Sequence, residues 1–392
     1  MPTMATLAQL GAAQGLMLVF AVLSVGHGNR AANRVLALFI GVLSLRLFLL
    51  ALEYQSFHAE RFNVAVFSLL HLSYAIGPLL FFYVRLLTVP ENRLALRDAW
   101  HFLPIPLAAL LMLPGGPVLP LDLSGYNHFN ALPDEIRTRV ILASTPVFLS
   151  LGIYSSLCLR MLKRYHRSIR ERFSALESIN LDWLRMLVWF CLTIASFSFF
   201  GELYRAFALL DIGPRSAYSV VFSVALIYYM GLRGLRQPLI FDQSEGAAVA
   251  AGLPEMQGQP ELGEHGEKYQ KSGLGDEQME SIWRKLQACM ESAAPYLQPG
   301  IKLADIARMV GTRANYLSQT INSRAGESFF DYINRHRVEY AKTLLLSEPD
   351  MTVSEVALRA GFNSQNVFNG HFKKRVGKTP TQFRKLKGYT KQ

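Results

Sequence analysis

Charge is scarce in this chain of 392 residues: Asp, Glu, Lys and Arg together make up 18%, against roughly 25% in soluble globular domains, while the hydrophobic set reaches 51%. A soluble all-helical core with so few charges would need its apolar faces to cover one another almost completely. Cysteine is nearly absent as well. Cys158, Cys191 and Cys289 stand far apart, which excludes a disulfide scaffold and a cysteine zinc cluster. Catalytic signatures are missing: there is no His-Glu-x-x-His, no Gly-x-Ser-x-Gly, no glycine-rich loop ending in Gly-Lys, and no metal spacing among the nine histidines. Neither an enzyme nor a metal or cofactor site is expected. Acid is the scarcer sign, 29 residues against 40 basic ones, and the net charge of +11 points to an anionic partner.

Lysine is missing from most of the chain, since Lys163 is the only one before Lys268. That divides the chain into residues 1–240, rich in long apolar runs, and 276–392, where charges recur on amphipathic patterns. Residues 241–275 between them, with Gly246, Gly252, Pro254, Gly258, Pro260 and Gly263 among acids, read as a flexible linker of about 30 Å r.m.s. reach. A tether that loose favours control through dimerisation or clustering over a rigid lever.

A membrane span needs about 20 mainly apolar residues. Seven runs qualify: Leu7 to Val25, Val35 to Leu52, Phe62 to Leu87, Phe102 to Leu119, Val140 to Leu162, Trp183 to Leu203 and Ala217 to Leu232. The fourth is the weakest, being broken by Pro104, Pro106, Pro114 and Pro117. With the N-terminus outside, the inner segments would carry Arg30, Arg34, Arg85, Arg93, Arg97, Arg160, Lys163, Arg164, Arg167, Arg170, Arg172, Arg233 and Arg236. The outer ones would carry only Arg61, Arg137, Arg139, Arg205 and Arg215. The excess of basic residues on one side predicts a multi-pass protein of the inner (cytoplasmic) membrane whose C-terminal part faces the cytoplasm. Gly11 and Gly15, with Ala8 and Ala12 beside them, form a small-residue face suited to a dimer seam or to packing within the same bundle.

The C-terminal part contains a repeat. Leu303-Ala-Asp-Ile-Ala-Arg-Met-Val-Gly311 is echoed fifty positions later by Val353-Ser-Glu-Val-Ala-Leu-Arg-Ala-Gly361. Each copy reads as a short helix with one buried face, an alanine that lets a second helix approach, and a glycine at the turn, which is the pattern of a helix-turn-helix. Thr352 and Glu355 add a capping box to the second copy. The segments after each turn, Arg313 to Asn322 and Asn363 to Lys374, are then the recognition helices. The first offers Thr312, Arg313, Asn315 and Gln319 around Tyr316, Leu317 and Ile321, which are expected to be buried; the second offers Asn363, Ser364, Gln365, Asn366 and Asn369. Asn and Gln pair with adenine in the major groove, and Arg pairs with guanine. Lys373, Lys374, Arg375, Arg359 and Arg384 belong to a tail with no acid after Glu355, suited to clamping phosphates. The segment Gln278 to Met290, with Met279, Ile282, Leu286 and Cys289 on one face, reads either as a second dimer helix or as a cap on this core.

From Pro295 to Leu386 the chain resembles the AraC/XylS family of bacterial transcription regulators. The likeness rests on Gly361-Phe362, Ser364, Phe368, Phe372-Lys373-Lys374, Gly377, Thr379-Pro380 and Phe383-Arg384, and on Leu303 to Ala307, Gly311, Tyr316-Leu317-Ser318, Gly326, Phe329, Tyr332-Ile333-Asn334 and Arg337. Two departures, Gly370 and Asn366, bear on base preference in the second half. The resemblance implies two helix-turn-helix units joined by a long helix, here Ser328 to Leu346, each entering a major groove on one face of the duplex. Gly77-Pro78-Leu79-Leu80 with Tyr83, and His101-Phe102-Leu103-Pro104, are similar to segments of a membrane-embedded subset of that family.

The fold class expected is therefore all-α: a polytopic helical membrane bundle of about seven spans followed by a cytoplasmic all-α domain with two helix-turn-helix units. The expected function is that of a membrane-anchored one-component transcription regulator. Its partners would be double-stranded promoter DNA, membrane lipid, RNA polymerase, a second copy in a homodimer and an unidentified small-molecule or envelope signal. A transporter or channel carrying a regulatory DNA-binding domain is the alternative. Ionisable residues inside spans mark the expected sensing site. Arg46, with Glu53 and Glu202, reads as a pocket for an anionic ligand, and an internal ion pair between spans is the competing reading.

Overall fold

The computed structural model describes residues 2–24, 29–58, 70–89, 94–111, 113, 117–118, 133–176, 179–206, 215–235 and 275–388. The linker expected at 241–275 lies outside them except for Gly275. Among the described residues the fold is helical, and the only β pairing is an isolated antiparallel bridge between Phe173 and Lys302. The chain forms two compact units, Met1–Tyr165 with Leu181–Leu253, and His166–Asn180 with Pro254–Gln392.

The first unit contains α1 (Pro2–Ser24), α2 (Arg30–His58), a 3-10 turn (Leu70–Ala75) running into α3 (Ile76–Thr88), a second 3-10 turn (Leu96–Phe102) running into α4 (Pro104–Leu111), α5 (Asp134–Ser144), most of α6 (Pro146–Arg170), α7 (Asp182–Ala206) and α8 (Arg215–Leu235). Helix α1 packs on α2 and α8, and α2 also packs on α3. The small-residue face of α1 is turned into this packing. Ala8 and Ala12 are buried, a Cβ at Gly11 would meet Val224 at 2.6 Å, and one at Gly15 would meet Ser44 at 1.9 Å. That face is committed within the chain. Outward, α1 and α7 leave large apolar side chains uncovered: Met17 is 72% exposed, Phe20 70%, Met186 64% and Phe200 65%.

Four helical stretches among the described residues are long and apolar enough to cross a membrane: Met4–Ser24, Arg30–Leu52, Asp134–Arg170 and Asp182–Gly201. The apolar helices Leu72–Thr88 and Val220–Met230 are shorter. Within the run Phe102 to Leu119 the described helix is only the eight residues of α4, in keeping with its prolines.

The second unit begins with the end of α6 and the loop that follows it. It continues with α9 (Asp276–Ser292), a 3-10 turn (Pro295–Leu297), α10 (Leu303–Val310), α11 (Ala314–Ala325), α12 (Phe329–Ser347), α13 (Val353–Arg359), α14 (Gln365–Val376) and α15 (Pro380–Gly388). Two apolar clusters share α12. One gathers Leu286, Ile306, Ala307, Leu317, Ile321 and Ile333; the other gathers Val338, Ala341, Val356, Ala357, Phe362, Phe368 and Phe372. Helix α9 buries Ile282, Leu286 and Met290 in the first cluster, so it caps the core.

Local chemistry sets the helix ends. Ser328 caps α12 by accepting the N–H of Asp331. At α13 the Thr352 hydroxyl accepts the N–H of Glu355 while the Glu355 carboxylate accepts the N–H of Thr352 at 2.8 Å. The carboxyl of Glu355 is held below the usual range first by the Thr352 hydroxyl, which donates to it at 2.7 Å, and then by the Thr352 N–H. At α10 the corresponding residue is Lys302, which has no acceptor oxygen, and only the return bond from Lys302 N–H to Asp305 is made, at 3.1 Å.

Candidate DNA-reading surface

Both turns close in the same way. After α10, Gly311 has φ 73°, and Thr312 N–H donates to the carbonyl of Ala307 at 2.9 Å; after α13, Gly361 has φ 84°, and Phe362 N–H donates to Ala357 at 3.0 Å. A left-handed residue followed by a bond reaching five positions back ends a helix sharply and favours glycine. Ala307 and Ala357 are both buried, as the close approach of the next helix requires.

Of the candidate base readers, Arg313, Asn315 and Gln319 on the first unit are exposed and Thr312 is half-buried; on the second, Asn363, Gln365 and Asn366 are exposed and Asn369 is half-buried. Tyr316 departs from expectation. It is 37% exposed, and the Arg313 guanidinium lies 5.8 Å from its ring centroid, so it belongs to the outer face of α11 and can steady Arg313 there. Ser364 is the N-cap of α14, accepting Val367 N–H at 3.4 Å.

The basic tail is less uniform than its sequence. Lys373 and Lys374 are exposed, whereas Arg375 pairs with Glu327 at 3.2 Å, Arg359 with Glu348 at 3.1 Å, and Arg384 donates to the Met351 carbonyl at 2.7 Å. The last three therefore hold local structure as well as adding positive charge.

A group that sequence reasoning named only as part of a motif proves central. Arg337, 2% exposed, donates to the carbonyls of Tyr296 at 2.7 Å and Gln298 at 3.0 Å, and its guanidinium lies 5.6 Å from the ring centroid of Phe362. A cation at the i+4 position between buried Ile333 and Ala341, on the apolar face of α12, was the legible sign of this role. Nearby, His336 is stacked on Tyr296 and its buried Nε2 has no hydrogen-bond partner among the described residues. Burial pushes its imidazole down to about 4, and Arg335 adds to the effect. Burial opposes ionisation of Asp331, but the Ser328 hydroxyl and Arg170 outweigh it and hold that carboxyl below the ordinary range.

In the first unit, Arg46 donates from Nε to the Ser73 hydroxyl and from one terminal nitrogen to the Ser223 hydroxyl, each at 3.0 Å. The side chains of Glu53 and Glu202, its expected companions, lie outside the described residues. The segments around Gly77 and His101 meet at one residue: a Cβ at Gly77 would touch the Tyr154 ring at 2.7 Å, and His101 Nδ1 is 2.7 Å from the Tyr154 hydroxyl. Arg85 is engaged by Asp98 through two oxygens, at 3.1 and 3.3 Å, so its charge is locally balanced.

Two helix-turn-helix units hung on one connecting helix define a DNA-binding domain, and comparison with known proteins agrees. The family described as a helix-turn-helix domain matches residues 306–386. A curated relative, the HTH-type transcriptional regulator ExsA of Pseudomonas aeruginosa, is 35% identical over 86 residues, covering 22% of this chain and 31% of that protein. The virulence regulon transcriptional activator VirF of Yersinia enterocolitica is 36% identical over 103 residues, 26% of this chain and 36% of the relative. Among solved structures, the C-terminal domain of AraT, a response regulator from Geobacillus stearothermophilus, is 30% identical over 27% of this chain and 84% of that one, with a TM-score of 0.24. The chain thus spans about a third of the length of the curated relatives named, and the family match lies at its C-terminal end. That end is an AraC-family helix-turn-helix domain.

Proposed function

We propose that the protein is a membrane-anchored, one-component transcription regulator that binds specific promoter DNA through its two helix-turn-helix units and responds to an extracellular or in-membrane signal. The observation that carries this reading is the pair of similarly closed turns, each followed by a helix that presents Asn, Gln or Arg to solvent. Membrane anchoring is supported by uncovered apolar faces such as Met186, Trp189, Phe197 and Phe200 on α7, which in water would be a large exposed patch and in lipid are solvated. In this reading about seven spans lie in the inner membrane, the DNA-binding domain is cytoplasmic, and the operator is bound by a homodimer that contacts RNA polymerase.

Residues 275–392 expressed alone should be soluble and bind duplex DNA, with affinity falling by a log-log slope of about −0.9 per neutralised phosphate as salt rises. Salt-independent or undetectable association with every genomic promoter in an occupancy map would remove the reading. For the signal, Arg46 is the candidate receptor of an anionic group, and Glu53 and Glu202 are the acids that the sequence assigns to the same pocket. Arg46→Ala should abolish or lock the response while membrane abundance and DNA binding persist, and Arg46→Lys should do nearly the same because it loses the planar fork. A stable Arg46→Ala protein with a normal reporter response would rule the pocket out.

A further inference from the structure

Residues 166–180, the end of α6 and the stretch leading to α7, lie in the DNA-binding unit, although the rest of α6 and the whole of α7 belong to the apolar one. Their contact with that unit is built, with bonds to backbone, side chain and ring. Leu303 N–H donates to the Arg172 carbonyl at 2.9 Å, Phe173 bridges Lys302, and the Ser174 hydroxyl donates to the Ile301 carbonyl at 2.6 Å. Arg170 grips both oxygens of Asp331, at 2.7 and 2.9 Å. Buried Arg337 reaches the carbonyl and hydroxyl of Ser174, each at 3.4 Å, and Ser174 is itself 2% exposed. Groups desolvated and satisfied to this degree form a specific contact, which is unusual for a connecting loop.

The next residue along from Arg170 gives the contact a consequence. Glu171 lines one hollow together with Asn315, Ser318, Gln319 and Asn322, so it stands beside the solvent face of the first recognition helix. A B-DNA major groove is about 12 Å wide and admits one helix. With α11 in the groove, the backbone at Glu171 would compete with a sugar-phosphate wall for space and set a carboxylate against it. The Arg167 that accompanies Glu171 is held at 3.4 Å in an exposed pair, a weak counterweight.

We propose that residues 166–176 are an autoinhibitory strap: docked on α10 and α12, they bar the first helix-turn-helix unit from duplex DNA, and their release is the step that licenses full binding. The proposal rests on the DNA-binding reading above and names its regulation. Because the strap is covalently continuous with α6 and α7, a signal acting on those helices has a direct route to it that bypasses residues 236–274.

The test uses the full chain in lipid nanodiscs and a duplex site selected from a random library. Arg170→Glu places like charges together at Asp331 and should tighten binding by roughly tenfold, inside the range of about 5–150-fold usual for coupled sites. A Phe173→Cys, Lys302→Cys pair, joined by oxidation across the antiparallel bridge, should bind at least about tenfold more weakly than the same protein after reduction. Introducing Arg170→Glu into the cysteine pair should lower the cross-linking yield, which reports undocking independently of DNA. Weaker binding by Arg170→Glu together with tighter binding by the cross-linked form would overturn autoinhibition and make the basic loop part of the DNA interface. Equal affinities for docked and released forms would reduce the strap to a structural brace. If neither the parent chain nor any variant binds DNA, the DNA-binding reading itself has failed, and the strap with it.

Discussion

In both helix-turn-helix units the residue after the turn glycine donates to the alanine five positions back, yet the two glycines answer to different constraints. A Cβ at Gly311 would meet nothing within 4 Å, so only its positive φ demands glycine; a Cβ at Gly361 would meet the backbone oxygens of Tyr296 at 2.6 Å and Leu297 at 2.8 Å. The surroundings differ too. The first unit is covered by α9 and touched by residues 166–180, whereas the second is braced by Arg359, Arg375 and Arg384 and shows Lys373 and Lys374 to solvent. A repeated local pattern therefore sits in two settings, one touched by a segment from elsewhere in the chain and one that presents two lysines to solvent.

The sharpest way to break the likeness is to replace each glycine by alanine in residues 275–392. At Gly361 left-handed strain and backbone overlap combine to roughly 3 kcal/mol or more, while at Gly311 the strain acts alone at about 1–2 kcal/mol. Urea denaturation should rank them in that order, and equal losses would mean that the 295–297 turn yields to the added methyl.

Base reading should divide between the units. Arg313→Ala and Gln365→Ala should each relax preference by about 1–3 kcal/mol at different base pairs of one site, as seen by binding to a single-substitution operator library. Lys373→Ala should weaken all sequences alike and reduce the salt slope by about 1. If the two base-reading variants change the same positions, the arrangement of two grooves is wrong.

Acid should affect the first cluster more than the second. Unfolded, His336 titrates near 6.5, and folded, near 4. The stabilisation is complete above about 6.5 and is lost as pH falls toward about 4, because the unfolded chain binds the proton first. A change on the order of 1–2 kcal/mol across that window is expected in residues 275–392, and His336→Phe should flatten it. An unaltered pH profile in the variant would place the acid sensitivity elsewhere.

The smallest effect concerns the caps. Thr352→Ala should cost about 1 kcal/mol, since a hydroxyl acceptor is lost at the start of α13. Lys302→Ala should cost less at the equivalent place, where no side-chain acceptor exists to lose, apart from the packing of its stem near Phe173. Thermal melts of the full chain compare the two.

What the sequence determined by itself was whatever depends on neighbours along the chain. The turns at Gly311 and Gly361, the buried alanines and the Thr352 cap follow from spacing within about ten residues, and each was found where the pattern put it. The exposed place of Tyr316 was missed because an aromatic beside Leu317 fits the apolar pattern equally well, and only the line of the core decides which of two adjacent residues is covered. The committed face of Gly11 and Gly15 needed the positions of Ser44 and Val224. The docking of residues 166–176 had no signature at all. Its bonds join residues more than 120 positions apart, and several end on backbone carbonyls, which every residue type carries; no choice of side chain announces them, and only the tertiary fold brings Arg172, Ser174 and Leu303 together.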